Sequence, residues 1–131
     1  MSGYVLDASV AVTALTQPGS PAADLLADAD TYFQVPSIFD VEVVSALRGL
    51  VRGGKYDRAA ADDLVADLMM LPVTRWHMSS LLPRIWELRE NLTPYDAAYV
   101  ALAELTGAIL ATGDERITAA PTTRCEIQLV E

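Results

Sequence analysis

Residues 93–114, TPYDAAYVALAELTGAILATGD, carry the signals of a helix with both of its ends and of the strand that follows it. Thr93 is a favourable N-cap, Pro94 suits the first helical position, and Gly107 predicts where the helix ends. The apolar run at 108–112 then predicts a strand. A helix that leads directly into an apolar strand is the repeating unit of an α/β fold.

The rest of the chain repeats this alternation. Ser20 and Asp57 suit N-cap positions, and Ser37 followed by Asp40 resembles a capping box that opens a helix running to about Arg52. The other elements predicted by periodicity and by glycine or proline are strands at 4–6, 32–35, 71–74 and 126–130 and helices at 8–15, 21–29, 58–70 and 79–89. Strands that alternate with helices predict a three-layer α/β/α domain over residues 1–131, with a mostly parallel sheet of four to five strands.

The composition excludes several kinds of site. The single cysteine, Cys125, has no partner for an intramolecular disulfide, and with the single histidine, His77, it cannot complete a tetrahedral zinc site. The chain has 18 acidic and nine basic residues, a formal charge of −9, which argues against a broad basic surface for nucleic acid. A nucleic-acid enzyme with this charge would need metal ions.

The apolar runs are much shorter than the ~20 residues that span a bilayer, and Asp7 comes before a signal-peptide pattern can develop. We therefore expect a cytoplasmic protein without a membrane segment. Hydrophobic residues make up 52% of the chain, more than a small monomer usually carries. This excess predicts an apolar surface that a partner covers.

Four acidic residues are predicted at one edge of the sheet. Asp7 ends the first strand, Asp114 ends the fourth, Asp96 lies in the first turn of the helix before that strand, and Glu42 lies near the start of the third helix. Ligands of such sheets bind beyond the carboxyl ends of the strands. Carboxylates are the ligands that Mg²⁺ and Mn²⁺ prefer, so the sequence makes a metal site plausible here.

Each of these acids also has a purely structural interpretation. Asp7 could cap the helix after its strand, Asp114 could belong to an ordinary turn, and Asp96 is at a position where acids favour the helix dipole. Glu42 could be a solvated helix residue, although Ala46 and Gly49 on its face predict a close approach of this helix to the sheet. The joint placement of the four acids favours the metal site.

A cluster of basic residues lies in and after the third helix. Four of the nine bases fall within eleven positions: Arg48, Arg52, Lys55 and Arg58. They are typical of a solvated helix end, where cations favour the dipole. The alternative is a rim that contacts phosphates beside Glu42.

Several stretches together resemble a known family. They are Val5–Ser9, Pro36–Leu47, Pro94–Ala103 and Leu110–Asp114. In their order, their spacing and the total length of the chain they are similar to the PIN-domain ribonucleases, most closely the VapC toxins of bacterial toxin–antitoxin pairs. The resemblance covers essentially the whole chain.

The resemblance implies a fold, an activity and a set of site residues. The implied activity is RNA cleavage by a homodimer that a cognate VapB-type antitoxin inhibits. The implied ligands of Mg²⁺ or Mn²⁺ are Asp7, Glu42, Asp96 and Asp114, with the hydroxyls of Ser9 and Thr112 as support. Some family members carry a further acid after the position of Asp114, and Glu115 is the only nearby candidate here.

The chemistry is consistent with this resemblance. Phosphodiester hydrolysis needs a nucleophile and compensation of charge, which carboxylate-bound metal ions supply, whereas a metal-free ribonuclease usually pairs two side chains such as histidines. Two alternatives stay open: a phospho-acceptor receiver-like signalling domain, and a catalytically inactive binding partner. A receiver domain needs a lysine after its last core strand, and the only lysine, Lys55, is predicted in a turn.

Overall fold

The computed structural model describes residues 2–131 and contains one five-stranded sheet. All four neighbouring strand pairs are parallel, and the strand order is β3-β2-β1-β4-β5. The strands are β1 (Ser2–Leu6), β2 (Thr31–Pro36), β3 (Val73–Trp76), β4 (Ile109–Thr112) and β5 (Ile127–Leu129). The predicted α/β class is confirmed, and the last strand is at an edge as predicted.

The helices form two groups that cover the sheet. The first group packs around α1 and the second around α6, which contacts three strands. Because the strand order runs in opposite directions from β1, right-handed crossovers place the two groups on opposite faces. The helices are α1 (Ala8–Thr16), α2 (Pro21–Ala27), α3 (Phe39–Arg52), α4 (Arg58–Met69), α5 (Leu82–Glu87), α6 (Pro94–Thr106) and α7 (Glu115–Thr118).

Three predicted helix starts are confirmed by hydrogen bonds. The side-chain oxygens of Ser20, Asp57 and Thr93 accept from the backbone amide three residues later, at 3.1, 3.0 and 3.2 Å. Each bond satisfies an amide that has no partner within the helix. Thr93 thereby fixes the start of α6, which carries Asp96 in its first turn.

The capping box predicted at Ser37 and Asp40 is wrong. The N-cap position of α3 belongs to Ile38, and no side chain caps the helix there. The Ser37 amide donates to the carbonyl of Trp76 at 2.9 Å, while Asp40 pairs with Arg75 at 2.7 Å. Contacts to β3 have replaced the local cap, and β3 begins two residues later than predicted.

The predicted close approach of α3 to the sheet is also wrong. Ala46 and Gly49 are exposed, and a methyl group built at Gly49 would meet no atom within 4 Å. Helix α3 packs instead through its buried residues Phe39, Val43 and Leu47. The small residues therefore lie on the outer face of the helix.

The core lies on both sides of the sheet, and α6 is the most buried of its helices. Seven consecutive residues of α6, from Ala97 to Ala103, are buried, because alanines at most of these positions let the helix lie close to the strands. Strands β1 and β4 are neighbours although they are far apart in sequence, so the strand order reverses between them and a crevice opens at their carboxyl ends. Among residues 2–131, no helix is long and apolar enough to cross a membrane.

Candidate functional site

Asp7 lies in the crevice between the ends of β1 and β4. Its backbone amide donates to Ala111 at 3.0 Å, which continues the pairing of the two strands by one residue. Although Asp7 is at the N-cap position of α1, its side chain makes no capping hydrogen bond. It accepts instead from the hydroxyls of Thr112 at 2.7 Å and Ser9 at 3.0 Å, both at Oδ2. Burial raises the pKa of Asp7, and these hydroxyl bonds offset part of the rise.

The two hydroxyls also fix the turn after β4. Thr112 Oγ1 accepts from the Asp114 amide at 3.1 Å, and Ser9 Oγ accepts from the Gly113 amide at 3.2 Å. Gly113 has little room for a side chain, since a Cβ there would lie 3.3 Å from the carbonyl oxygen of Val130. Ser9 and Thr112 therefore tie the carboxylate of Asp7 to the backbone that carries Asp114.

Glu42 reaches the site from the first turn of α3. Its Oε1 accepts from the hydroxyl of Tyr99 at 2.6 Å, a bond between α3 and α6. Burial raises the pKa of Glu42, the Tyr99 bond opposes this rise, and the negative charges of Asp7 and Asp96 add to it. Tyr99 is fully buried, and burial next to an acid raises its pKa far above the usual value, so the phenol is a permanent donor.

Asp96 faces the other acids from the first turn of α6. Its backbone amide donates to the hydroxyl of Thr93. Burial raises the pKa of its carboxyl group, the charges of Asp7 and Asp114 raise it further, and a hydrogen bond with the Thr93 side chain lowers it slightly against these effects. Asp96 is therefore close enough to both for mutual repulsion.

Asp114 is held differently from the other three acids. It caps α7, and its Oδ1 accepts from the Arg116 amide at 2.9 Å. The guanidinium of Arg116 adds two bonds, from Nε to Oδ1 at 3.1 Å and from Nη2 to Oδ2 at 2.8 Å. This pair lowers the pKa of Asp114. Glu115, the possible further acid, is exposed at the start of α7.

The structure thus brings all four predicted acids to one crevice. Their mutual repulsion is what a divalent cation relieves, and an all-oxygen donor set suits Mg²⁺ or Mn²⁺, so the chemistry of these residues fits such an ion. As the side chains stand, no three acidic, histidine or cysteine residues within 2–131 are close enough to hold one ion. Glu42 is held by Tyr99, and Asp114 is held by Arg116.

Two residues of the site were missed at the level of sequence. Tyr99 belongs to the stretch Pro94–Ala103 that carries the resemblance, but no role was predicted for it. Arg116 lies two positions after Asp114, where an Asp-x-Arg pattern at a short helix start could have indicated the pair. The basic cluster after α3 stays a prediction: its arginines line an open depression between α3 and α4.

The chain matches a known protein family over most of its length. A family model described as PIN domain matches residues 4–122. The chain belongs to the PIN-domain family. It is 40% identical over 117 residues to ribonuclease VapC3 of Mycobacterium tuberculosis, covering 88% of this chain and 85% of that protein. It is 36% identical over 126 residues to ribonuclease VapC9 of the same species, covering 96% of this chain and 97% of that protein. These relatives place it in the VapC group of PIN domains.

Solved structures share the fold. PAE2754 from Pyrobaculum aerophilum superimposes with a TM-score of 0.69 at 24% identity, over 96% of this chain and 83% of that one. VapBC2 from Rickettsia felis, bound to a fragment of promoter DNA, superimposes with a TM-score of 0.70 at 15% identity. The match covers 98% of this chain and 99% of that one. The alternative of a receiver-like signalling domain is excluded, because the chain belongs to the PIN-domain family. The lysine that a receiver domain needs after its last core strand is also missing there, since Lys55 lies between α3 and α4.

Proposed function

We propose that this single-domain PIN protein is a metal-dependent endoribonuclease, the toxin of a type II toxin–antitoxin pair, which hydrolyses RNA phosphodiester bonds. Mg²⁺ or Mn²⁺ would be held by Asp7, Glu42, Asp96 and Asp114. The observation that carries the proposal is that the fold gathers four carboxylates from separate segments at the carboxyl ends of β1 and β4. Burial raises the pKa of Glu42 and Asp96, and the charges of neighbouring acids raise both further. The names of the VapC ribonuclease relatives support RNA as the substrate.

The chemistry expected of a bound divalent ion is the activation of water and the compensation of charge on the phosphodiester. The protein's own part is positioning. Asp7 is oriented by Ser9 and Thr112, whose hydroxyls both donate to its Oδ2. Tyr99 occupies Glu42 Oε1 and leaves Oε2 for the site. Buried hydroxyl donors that hold ligating carboxylates in place are a common feature of metal sites.

The chain contains one histidine and therefore has no pair of histidines to cleave RNA without metal. His77 is exposed, and its ring nitrogen lies 3.3 Å from the hydroxyl of Ser79, in the segment between β3 and α5. The proposed cleavage therefore depends on the four carboxylates and the ion that they hold.

The proposed partner is a VapB-type antitoxin, and the proposed location is the cytoplasm, where RNA is available. The net charge of −9 favours a partner with basic residues, and exposed apolar side chains favour one with apolar residues as well. Large apolar side chains that are exposed include Val41, Met69, Met70, Leu82, Trp86 and Leu105. The homodimer implied by the family resemblance also stays a prediction.

The test is RNA cleavage by the purified chain, freed of any antitoxin, with Mg²⁺, with Mn²⁺ and with a chelator. We expect cleavage with either ion, none with the chelator, and none from Asp7→Asn prepared in the same way. Asp63→Asn, which removes an exposed carboxylate on α4, is the matched control and should cleave normally. Full activity in the chelator would exclude the mechanism, and a folded but inactive wild type would favour the binding partner.

A further inference from the structure

Arg116 forms an ion pair with Asp114, one of the four acids of the crevice. Among residues 2–131, it is the one basic side chain that hydrogen-bonds to any of the four acids of the crevice. It does so with two guanidinium nitrogens, which engage both oxygens of Asp114. Its charge also acts on Asp96, whose pKa it lowers against the stronger effects of burial and repulsion. The guanidinium is thus the internal counter-ion of the cluster.

The bidentate pair conflicts with cation binding by Asp114. The carboxylate faces Arg116, and the acids as they stand do not converge on one point. For Asp114 to join the other acids, the bond from Nη2 to Oδ2 must break. The backbone bond from the Arg116 amide to Oδ1 belongs to the helix cap and does not depend on the guanidinium.

The two side chains differ in how freely they can move. The Arg116 side chain is 87% exposed and that of Asp114 is 22% exposed. An arginine so exposed regains water when it leaves, so the pair costs little to break. Asp114 meanwhile keeps its capping bond, which limits the motion to a rotation of the carboxylate.

We propose that Arg116 is a positioning residue that competes with the divalent cation for Asp114. It holds the carboxylate while the cation is absent and is displaced when the cation binds. This inference rests on the proposed function, because it requires a cation site at these acids. It predicts that the affinity for the cation is lower than the four carboxylates alone would give.

The experiment measures Mg²⁺ binding calorimetrically to the full chain for the wild type, Arg116→Lys and Arg116→Gln. Lysine keeps the charge but loses the planar two-point contact, and glutamine loses both. We expect Arg116→Lys to bind Mg²⁺ about two- to fivefold more tightly, the factor that follows from no longer breaking an exposed ion pair. Arg116→Gln should bind more tightly still. Arg89→Gln, which removes a charge that contacts Trp86 and Glu90, is the matched control.

A second measurement does not depend on affinity. The Nε–H signal of Arg116 in ¹⁵N spectra, identified by its loss in Arg116→Lys, should shift when Mg²⁺ is added to the wild type. Arg116→Lys with unchanged affinity would show that charge alone acts and would overturn the competition, and weaker binding by both variants would make Arg116 a support of Asp114. If the wild type itself binds no Mg²⁺ or Mn²⁺, the proposed function fails instead.

Discussion

The hydroxyl of Tyr99 donates to Oε1 of Glu42 at 2.6 Å and thereby joins α6 to α3 beside the acidic crevice. The phenol is fully buried, while Glu42 is partly exposed. Because its raised pKa keeps Tyr99 protonated, the bond has a fixed direction, with Glu42 as the acceptor. The position of Glu42, a proposed metal ligand on α3, therefore depends on a side chain of α6.

Tyr99→Phe removes this hydroxyl while keeping the ring. We expect the free energy of unfolding to fall by about 1 kcal/mol, the usual contribution of such a hydrogen bond. Mg²⁺ affinity should weaken several-fold, because Glu42 loses the donor that orients it. The control is Tyr95→Phe in the same helix, where the side chain is 60% exposed. Equal Mg²⁺ affinity in both variants, measured by calorimetry, would refute the positioning role.

Asp96→Asn distinguishes a metal ligand from a helix residue by the sign of the stability change. If Asp96 only favours the helix dipole, the free energy of unfolding of the variant falls by about 0.3 to 1 kcal/mol, with or without metal. We expect the opposite in the chelator: the variant should be no less stable, since repulsion from Asp7 and Asp114 is relieved.

The same variant should lose stabilisation by Mg²⁺, which for one site amounts to about 1.4 kcal/mol at ten times the dissociation constant. RNA cleavage should fall by about two orders of magnitude or more, as for the loss of a positioned catalytic group. Thermal melts with chelator and with excess Mg²⁺ provide the measurement. A destabilised variant that still cleaves RNA would remove Asp96 from the site.

The stability of the metal-free protein should depend on pH in an unusual direction. Burial raises the pKa of Asp7, Glu42 and Asp96 from unfolded values of 3.8 and 4.5. Between these unfolded values and the raised folded ones, the folded state binds more protons than the unfolded chain, so the free energy of unfolding rises as the pH is lowered. Melts in chelator from pH 7.5 down to about 4.5, the higher of the unfolded values, should show this rise.

Two variants identify which carboxyl groups cause the pH dependence of the free energy of unfolding. Asp7→Asn should flatten the profile, whereas Asp63→Asn on the surface of α4 should leave it unchanged. Asp114 acts in the other direction, because Arg116 lowers its pKa, but its contribution is lost only as the pH falls below the unfolded value of 3.8. A wild-type protein that melts lower at pH 4.5 than at pH 7.5 would contradict the raised pKa values of the other three acids.

Two glycines should respond oppositely to alanine. Gly107 ends α6 with φ 71°, a left-handed conformation, so Gly107→Ala should cost about 1 kcal/mol. Gly49 lies in the exposed face of α3 with open space around it, so Gly49→Ala should stabilise by about 0.5 to 1 kcal/mol. Urea denaturation of both variants measures the difference. A lower free energy of unfolding for Gly49→Ala would contradict the open space around Gly49 and would favour a close approach of α3 to the sheet.

Much of the fold follows from local patterns. The caps at Ser20, Asp57 and Thr93 were predicted because a capping side chain and its amide are three residues apart. The capping box at Ser37 failed because partners on β3, about 40 residues away in sequence, took its place. Local signals predict an element well where its contacts are local.

The sequence by itself determined the alternation of strands and helices, the α/β class and the placement of four acids at one end of the sheet. Parallel strands bring their carboxyl ends to one edge, so Asp7 and Asp114 had to be neighbours once β1 and β4 paired. Only the tertiary structure decided where each carboxylate points. Glu42 is held by a tyrosine 57 positions away and Asp114 by the arginine beside it, because buried or crowded charges take whichever donor the packing offers.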